Sequence, residues 1–366
     1  MKRLSIVVFI LISVLTGCQS TSEVPASNDV VGELEKPAIS VVATLFPQYD
    51  FARQIGGNYV DVTLILPPGV EAHAYEPTPK EIVSMQSSDL LIYTGDGMEP
   101  WVSKMFDTLT SHQLRILDVS ENVTLLKSDV DDADHDVDHD ADHEADHDED
   151  HDADHDADHD ADHDADHDAD HDADHDADYD VDHAGHDHGE YDPHIWLDPQ
   201  NAMIMVDNIL KAFIELDPEH QSYYESRADE LVKSLAELDE TMLTYFQTLD
   251  HPTIVYGGHY AFSYFSKRYG LAYMSPYTGF SPDAEPTPQR ITKLIDVINE
   301  SHIKTIYYEE LISPRVAETV ANETGAQMLL LHGVHNVSKD EIERGETYLS
   351  LMYANFERLK EGLNHE

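Results

Sequence analysis

Along this chain the apolar residues switch repeatedly between short β-branched runs and the three-to-four spacing of an amphipathic helix. Runs at Ile39–Leu45, Val60–Leu66, Leu90–Thr94 and Arg115–Val119 read as strands, and helical periodicity fills Gln48–Ile55, Pro79–Gln86 and Pro100–Leu109 between them. The scheme returns in the second half, with strands predicted at Thr253–Tyr256, Leu271–Ser275, Lys304–Tyr308 and Gln327–Leu331. Helices are predicted there at Tyr260–Arg268, Pro288–Glu300, Pro314–Thr324 and from Lys339 onward. Such alternation predicts an α/β protein of two doubly wound parallel-sheet lobes. The tetrapeptide EPTP stands at Glu76–Pro79 and again at Glu285–Pro288, each time opening a helix, which argues for duplication. Between the halves Asn201–Glu215 and Glu219–Leu249 are strongly helical. The second, at about 1.5 Å per residue, is long enough to join two lobes as a rigid strut.

Two stretches fall outside this scheme. At the start, Lys2 and Arg3 precede an apolar run, Leu4–Leu15, that is too short to span a bilayer comfortably and fits a secretory signal of residues 1–17. The LTGC that follows resembles the bacterial lipobox, which implies lipidation of Cys18. Cys18 is the only cysteine, so no disulfide competes for it. Residues 18–37, rich in Ser, Glu, Pro and Asn, then read as a flexible tether on the extracytoplasmic face of the membrane.

The second stretch carries most of the charge. Of 74 acidic residues, 32 lie between Asp129 and Asp192, where there is no Lys or Arg, so 42 acids face 21 basic residues elsewhere. That balance repels nucleic acid and attracts cations. A four-residue Asp/His repeat sets His135, His139, His143, His147, His151, His155, His159, His163, His167, His171 and His175 at strict spacing, and His183, His186 and His188 follow. Aspartate is a poor helix former and like charges repel along a helix, so the tract of residues 128–191 is expected to be disordered without metal and to collect divalent ions weakly.

A selective site is expected elsewhere. Parallel sheets bind ligands beyond the carboxyl ends of their strands. His73 follows the second predicted strand, His259 follows Thr253–Tyr256 behind Gly257 and Gly258, and His335 follows Gln327–Leu331. His194 sits in DPHIWLDP, Asp192–Pro199, pinned between two Asp-Pro pairs. Four imidazoles, or three with water or a carboxylate, make a tetrahedral site suited to Zn²⁺. Glu309 and Glu310 are rivals of His335 for the fourth place, and His332 lies close enough to His335 to confuse the assignment.

The stretches VVATLFPQYDFARQIGG, LPPGVEAHAYEPTP, GDGMEPW, DPHIWLDP and YGGHYAFSYF, with the lipobox and the His-rich insertion, resemble the zinc-binding lipoproteins of bacterial ABC importers, the high-affinity zinc-uptake family. The likeness covers nearly all of Ala38–Leu363 apart from the tract. It implies two lobes (38–127 and 251–366) joined by loop and linking helices (192–250). It also implies Zn²⁺ as transported ligand in the cleft, and delivery by a non-enzymatic monomer to a permease driven by an ATPase. By the same resemblance three family histidines fall on His73, His194 and His259. A fourth position, often a carboxylate, falls in LHGVHN at His335. Manganese-carrying relatives use two carboxylates, so His259 favours zinc. The alternatives are a manganese or other divalent-metal importer component, an extracellular metal buffer or adhesin, and a zinc hydrolase with Glu309 as base; for the hydrolase no nucleophile elbow is present.

Overall fold

A computed structural model describes residues 39–110, 114–127, 191–277, 279–280 and 285–364. Cys18, the signal and tether, and the histidines from His135 to His188 lie outside them. In the first half β1 (Ile39–Ala43), β2 (Val60–Leu64), β3 (Leu90–Tyr93) and β4 (Arg115–Asp118) form one parallel sheet in the order β2-β1-β3-β4. In the second half β5 (Thr253–Val255) pairs with β6 (Ala272–Met274) and β7 (Thr305–Tyr308) with β8 (Gln327–Leu330), all parallel. A parallel bridge between Tyr256 and Tyr307 joins the two pairs. The resulting order, β6-β5-β7-β8, repeats that of the first sheet, as a duplicated lobe would. Leu90, Leu91 and Ile92 are all fully buried, as expected of a parallel strand covered on both faces.

The helices are α1 (Phe46–Gly56), α2 (Pro79–Gln86), α3 (Pro100–Lys104), α4 (Phe106–Thr110), α5 (Pro199–Leu216) and α6 (Gln221–Phe246), followed by α7 (Ser263–Tyr269), α8 (Pro288–Glu300), α9 (Arg315–Thr324), α10 (Lys339–Arg344) and α11 (Tyr348–Leu363). The EPTP repeat has a physical basis in both lobes. Its threonine, Thr78 or Thr287, caps the helix by accepting a backbone N–H, and its last proline takes the first helical position.

Two predicted helices are divided. Pro100–Leu109 breaks at Met105, whose N–H turns back to Trp101 and Val102. The final helix breaks at Gly345, which ends α10 in the left-handed conformation (φ 72°), and Thr347 then caps α11. α7 also begins later than predicted, because the backbone from Gly257 to Phe262 stays irregular around His259.

The 26 residues of α6 bury Tyr224, Ala228, Leu231, Leu235, Leu238, Met242 and Phe246, one stripe at helical spacing that packs on α1 and α5 as well as on α7 and α11. Asp239 on this helix accepts hydrogen bonds from Gln200, Arg268 and Tyr269, which fastens α5, α6 and α7 to one carboxylate. The strut therefore touches both lobes along its length. The C-terminal α11 adds a second tie, since the Tyr348 N–H is accepted by Asp50 of α1 at 2.8 Å.

Candidate metal centre

Four loops at the carboxyl ends of strands meet beside Trp196. After β2 the chain turns at Gly69 and delivers Glu71 and His73, two residues apart, with the His73 N–H donated to Glu71. In DPHIWLDP the two aspartates have separate tasks. Asp192 accepts both the His194 N–H (2.9 Å) and the Nδ1 side of its ring (2.7 Å), whereas Asp198 caps α5 through the Gln200 N–H. Behind β5 the backbone passes so close to its neighbours that a Cβ on Gly257 would stand 2.7 Å from that of Ala317, and one on Gly258 2.6 Å from Glu309 Oε2. That approach sets His259 Nδ1 2.8 Å from Glu309 Oε2. After β8 the loop is tied to the first lobe by Trp196 Nε1–H to the Gly333 carbonyl (2.8 Å), the Phe46 N–H to the His335 carbonyl (3.0 Å), and Asn336 Nδ2 to Pro67 and Val70. Leu311 and Val334, beside Glu310 and His335, hold positive φ of 64° and 61°, a strained conformation for such side chains.

The result is a convergence of Nε2 atoms. His194 Nε2 lies 3.2 Å from His73 Nε2 and 3.1 Å from His259 Nε2. Nitrogens held 2.0–2.1 Å from a tetrahedral ion stand about 3.3 Å from each other, so the spacing already approximates the edge of such a site. His194 and His259 are fully buried and His73 is half-buried. Each buried ring has its Nδ1 against a carboxylate, the arrangement that fixes a tautomer with Nε2 free to ligate.

Electrostatics divides the three. Burial, then the neighbouring histidines, hold His73 and His194 well below the ordinary value. Burial also opposes the charged form of His259, but Glu309, and behind it Glu71 and Glu310, outweigh it and raise that ring. Burial lifts Asp192 to about 7 against the hydrogen bond from the His194 backbone. A cation at the shared Nε2 point would displace protons from this cluster.

His335 is fully buried but stands apart, its ring centre 6.4 Å from that of His73 and 6.3 Å from that of His259. It belongs to an adjoining group with Glu71 and Glu309, whose ligand atoms lie within 4.8 Å of one another. Glu310 accepts the Gly333 N–H at 2.7 Å and has its other oxygen 3.8 Å from His335 Nδ1, so it braces the loop. His332 accepts the Val334 N–H on Nδ1 and faces Glu341 with Nε2, away from the three histidines. Glu71 was not among the residues expected from sequence. Its signal is its place two before His73, near enough along the turn for its carboxylate to accept that residue's N–H.

The family profile described as zinc-uptake complex component A, periplasmic, matches residues 41–362. The high-affinity zinc uptake system protein ZnuA of Bacillus subtilis is 32% identical over 325 residues, covering 89% of this chain and 88% of that one. The zinc-binding lipoprotein AdcA of Streptococcus pneumoniae is 27% identical over 329 residues; the match covers 90% of this chain and 56% of that longer protein. The crystal structure of the Zn(II)-bound ZnuA-like domain of that AdcA superposes with a TM-score of 0.66 at 25% identity, covering 89% of this chain and 99% of the domain.

Proposed function

We propose, on the premise that the chain belongs to the family of the periplasmic component A of zinc-uptake complexes, that it captures Zn²⁺ outside the cytoplasm and gives it up to a permease driven by an ATPase. The single observation that carries this reading is the meeting of three Nε2 atoms at 3.1 and 3.2 Å from residues 73, 194 and 259. His73, His194 and His259 hold the ion, while Asp192 and Glu309 orient the two buried rings. Glu309 is thereby an orienting group and not a fourth ligand. The fourth position is filled by water or, after an inward shift of the loop after β8, by His335.

Rigidity suits a carrier that must select its ion before docking. The strut and the Asp50–Tyr348 and Trp196–Gly333 ties hold the lobes and the loop after β8, so release falls to the loop that bears His73. Lipidation of Cys18 would keep the carrier beside its permease, and the Asp/His tract of residues 128–191 would raise the local concentration of cations. His259→Ala is expected to lower zinc affinity by orders of magnitude in a chelator-competition titration while leaving the thermal unfolding of the metal-free protein in place. An unchanged affinity removes His259 from the site and with it this reading.

A further inference from the structure

Next to the three histidines lies a second, separate set of donors. Glu71, Glu309 and His335 bring ligand atoms within 4.8 Å of one another, and Glu309 and His335 are nearly or fully buried. Several of these atoms lack hydrogen-bond partners: Glu71 Oε2 and both ring nitrogens of His335, while both oxygens of Glu309 face His259 Nδ1 at 2.7 and 2.8 Å. A buried imidazole with neither nitrogen engaged is costly, and so is a buried carboxylate oxygen left bare. Ligation would satisfy both.

Charge leads to the same place. An ion of charge +2 on the three histidines is balanced by the two carboxylates directly behind their rings, Asp192 and Glu309. Glu71 remains, and among the described residues it has no Lys or Arg within ion-pair distance, whereas Glu310 faces His332 at 3.3 Å. One more divalent cation beside Glu71, Glu309 and His335 would offset Glu71.

We infer that the cleft holds a second divalent-cation position formed by Glu71, Glu309 and His335, adjoining the three-histidine site and sharing with it the Glu309 carboxylate. The inference rests on the carrier reading of the first site and extends it. Two carboxylates and one imidazole form a harder donor set than three imidazoles, so this position binds zinc more weakly and tolerates harder divalent ions. Glu71, its one part-exposed member, sits on the same loop as His73, so both positions open to solvent through that loop. His335 then serves the second ion, and water completes the first.

The test is anomalous diffraction at the zinc edge from crystals of the full chain soaked in excess zinc, with Glu71→Gln and His335→Ala measured alongside. Two peaks are expected in the wild-type cleft, one at His73, His194 and His259 and one at Glu71, Glu309 and His335. Either substitution should abolish the second peak at the same zinc concentration. A single peak ligated by all four histidines overturns the second position and leaves the carrier reading standing. No peak at residues 73, 194 and 259 overturns the carrier reading itself. A second peak that survives both substitutions also overturns the assignment.

Discussion

Glu309→Gln tests how far the site is built in advance of its ion. The side chain keeps its size, and the carboxylate it replaces is buried and 2.8 Å from His259 Nδ1. A hydrogen bond to a charged acceptor contributes about 1.5–3 kcal/mol and one to a neutral acceptor about 0.5–1.5, so the exchange removes on the order of 1–2 kcal/mol of orientation. Glutamine can also turn its NH₂ toward Nδ1, which would stabilise the tautomer with the proton on Nε2 and block ligation. Loss of such a supporting carboxylate typically weakens metal binding about 10–100-fold, or about 1.4–2.8 kcal/mol. Competition with a chromogenic zinc chelator at less than one equivalent of zinc reads this directly. In a His259→Ala background the same exchange should cost little, because the two residues act as a unit. A Glu309→Gln affinity within twofold of wild type refutes the reasoning, as does an equal loss in both backgrounds.

Three further outcomes are expected. Because Glu309 raises His259 and zinc requires the neutral ring, binding should weaken as pH falls below the raised value of that histidine. Calorimetry in buffers of different ionisation enthalpy should detect proton release that shrinks in Glu309→Gln; release that is unaltered contradicts the coupling. Burial raises Glu99 to about 8 against hydrogen bonds from Thr44 and the Thr94 N–H. The folded chain therefore keeps a proton that the unfolded chain loses near 4.5, and stability falls across that window as pH rises, by up to about 1.4 kcal/mol per unit. Glu99→Gln should gain on wild type in urea unfolding between pH 5.5 and 8, and a difference independent of pH would count against it. Lys127 and Tyr191 pair as an antiparallel bridge, so residues 128–190 can be replaced by a short turn. That variant should retain the tight zinc site and lose the weak ones; many remaining weak sites would show that the Asp/His tract is not the collector.

Much of the fold is legible because both signals are local. Strand runs and helical periods lie where the pattern puts them, and Pro79–Gln86 and Pro288–Glu300 begin and end as predicted because Thr-Pro fixes their starts. The breaks at Met105 and Gly345 are less legible, since apolar periodicity continues across both. His73, His194 and His259 could be proposed from their places after strands and on a proline-pinned loop. The reach of His335 could not: its loop is set by contacts with Phe46, Trp196 and Pro67, partners more than a hundred residues away. The same distance hides the choice between His332 and His335, which depends on the Val334 N–H occupying His332 Nδ1. Glu309 follows a strand as a candidate ligand would, and that its carboxylate also meets the Nδ1 side of His259 could not be read there. Side-chain direction of that kind is written in packing and not in spacing.

X-ray absorption at the zinc edge, on protein with residues 128–190 replaced by a turn and loaded with one equivalent of zinc, tests the convergence most directly. A four-coordinate shell of nitrogen and oxygen near 2.0–2.1 Å, with outer-shell scattering from three or four imidazoles, is the result predicted. A first shell mainly of carboxylate and water oxygens, with one imidazole or none, would contradict it.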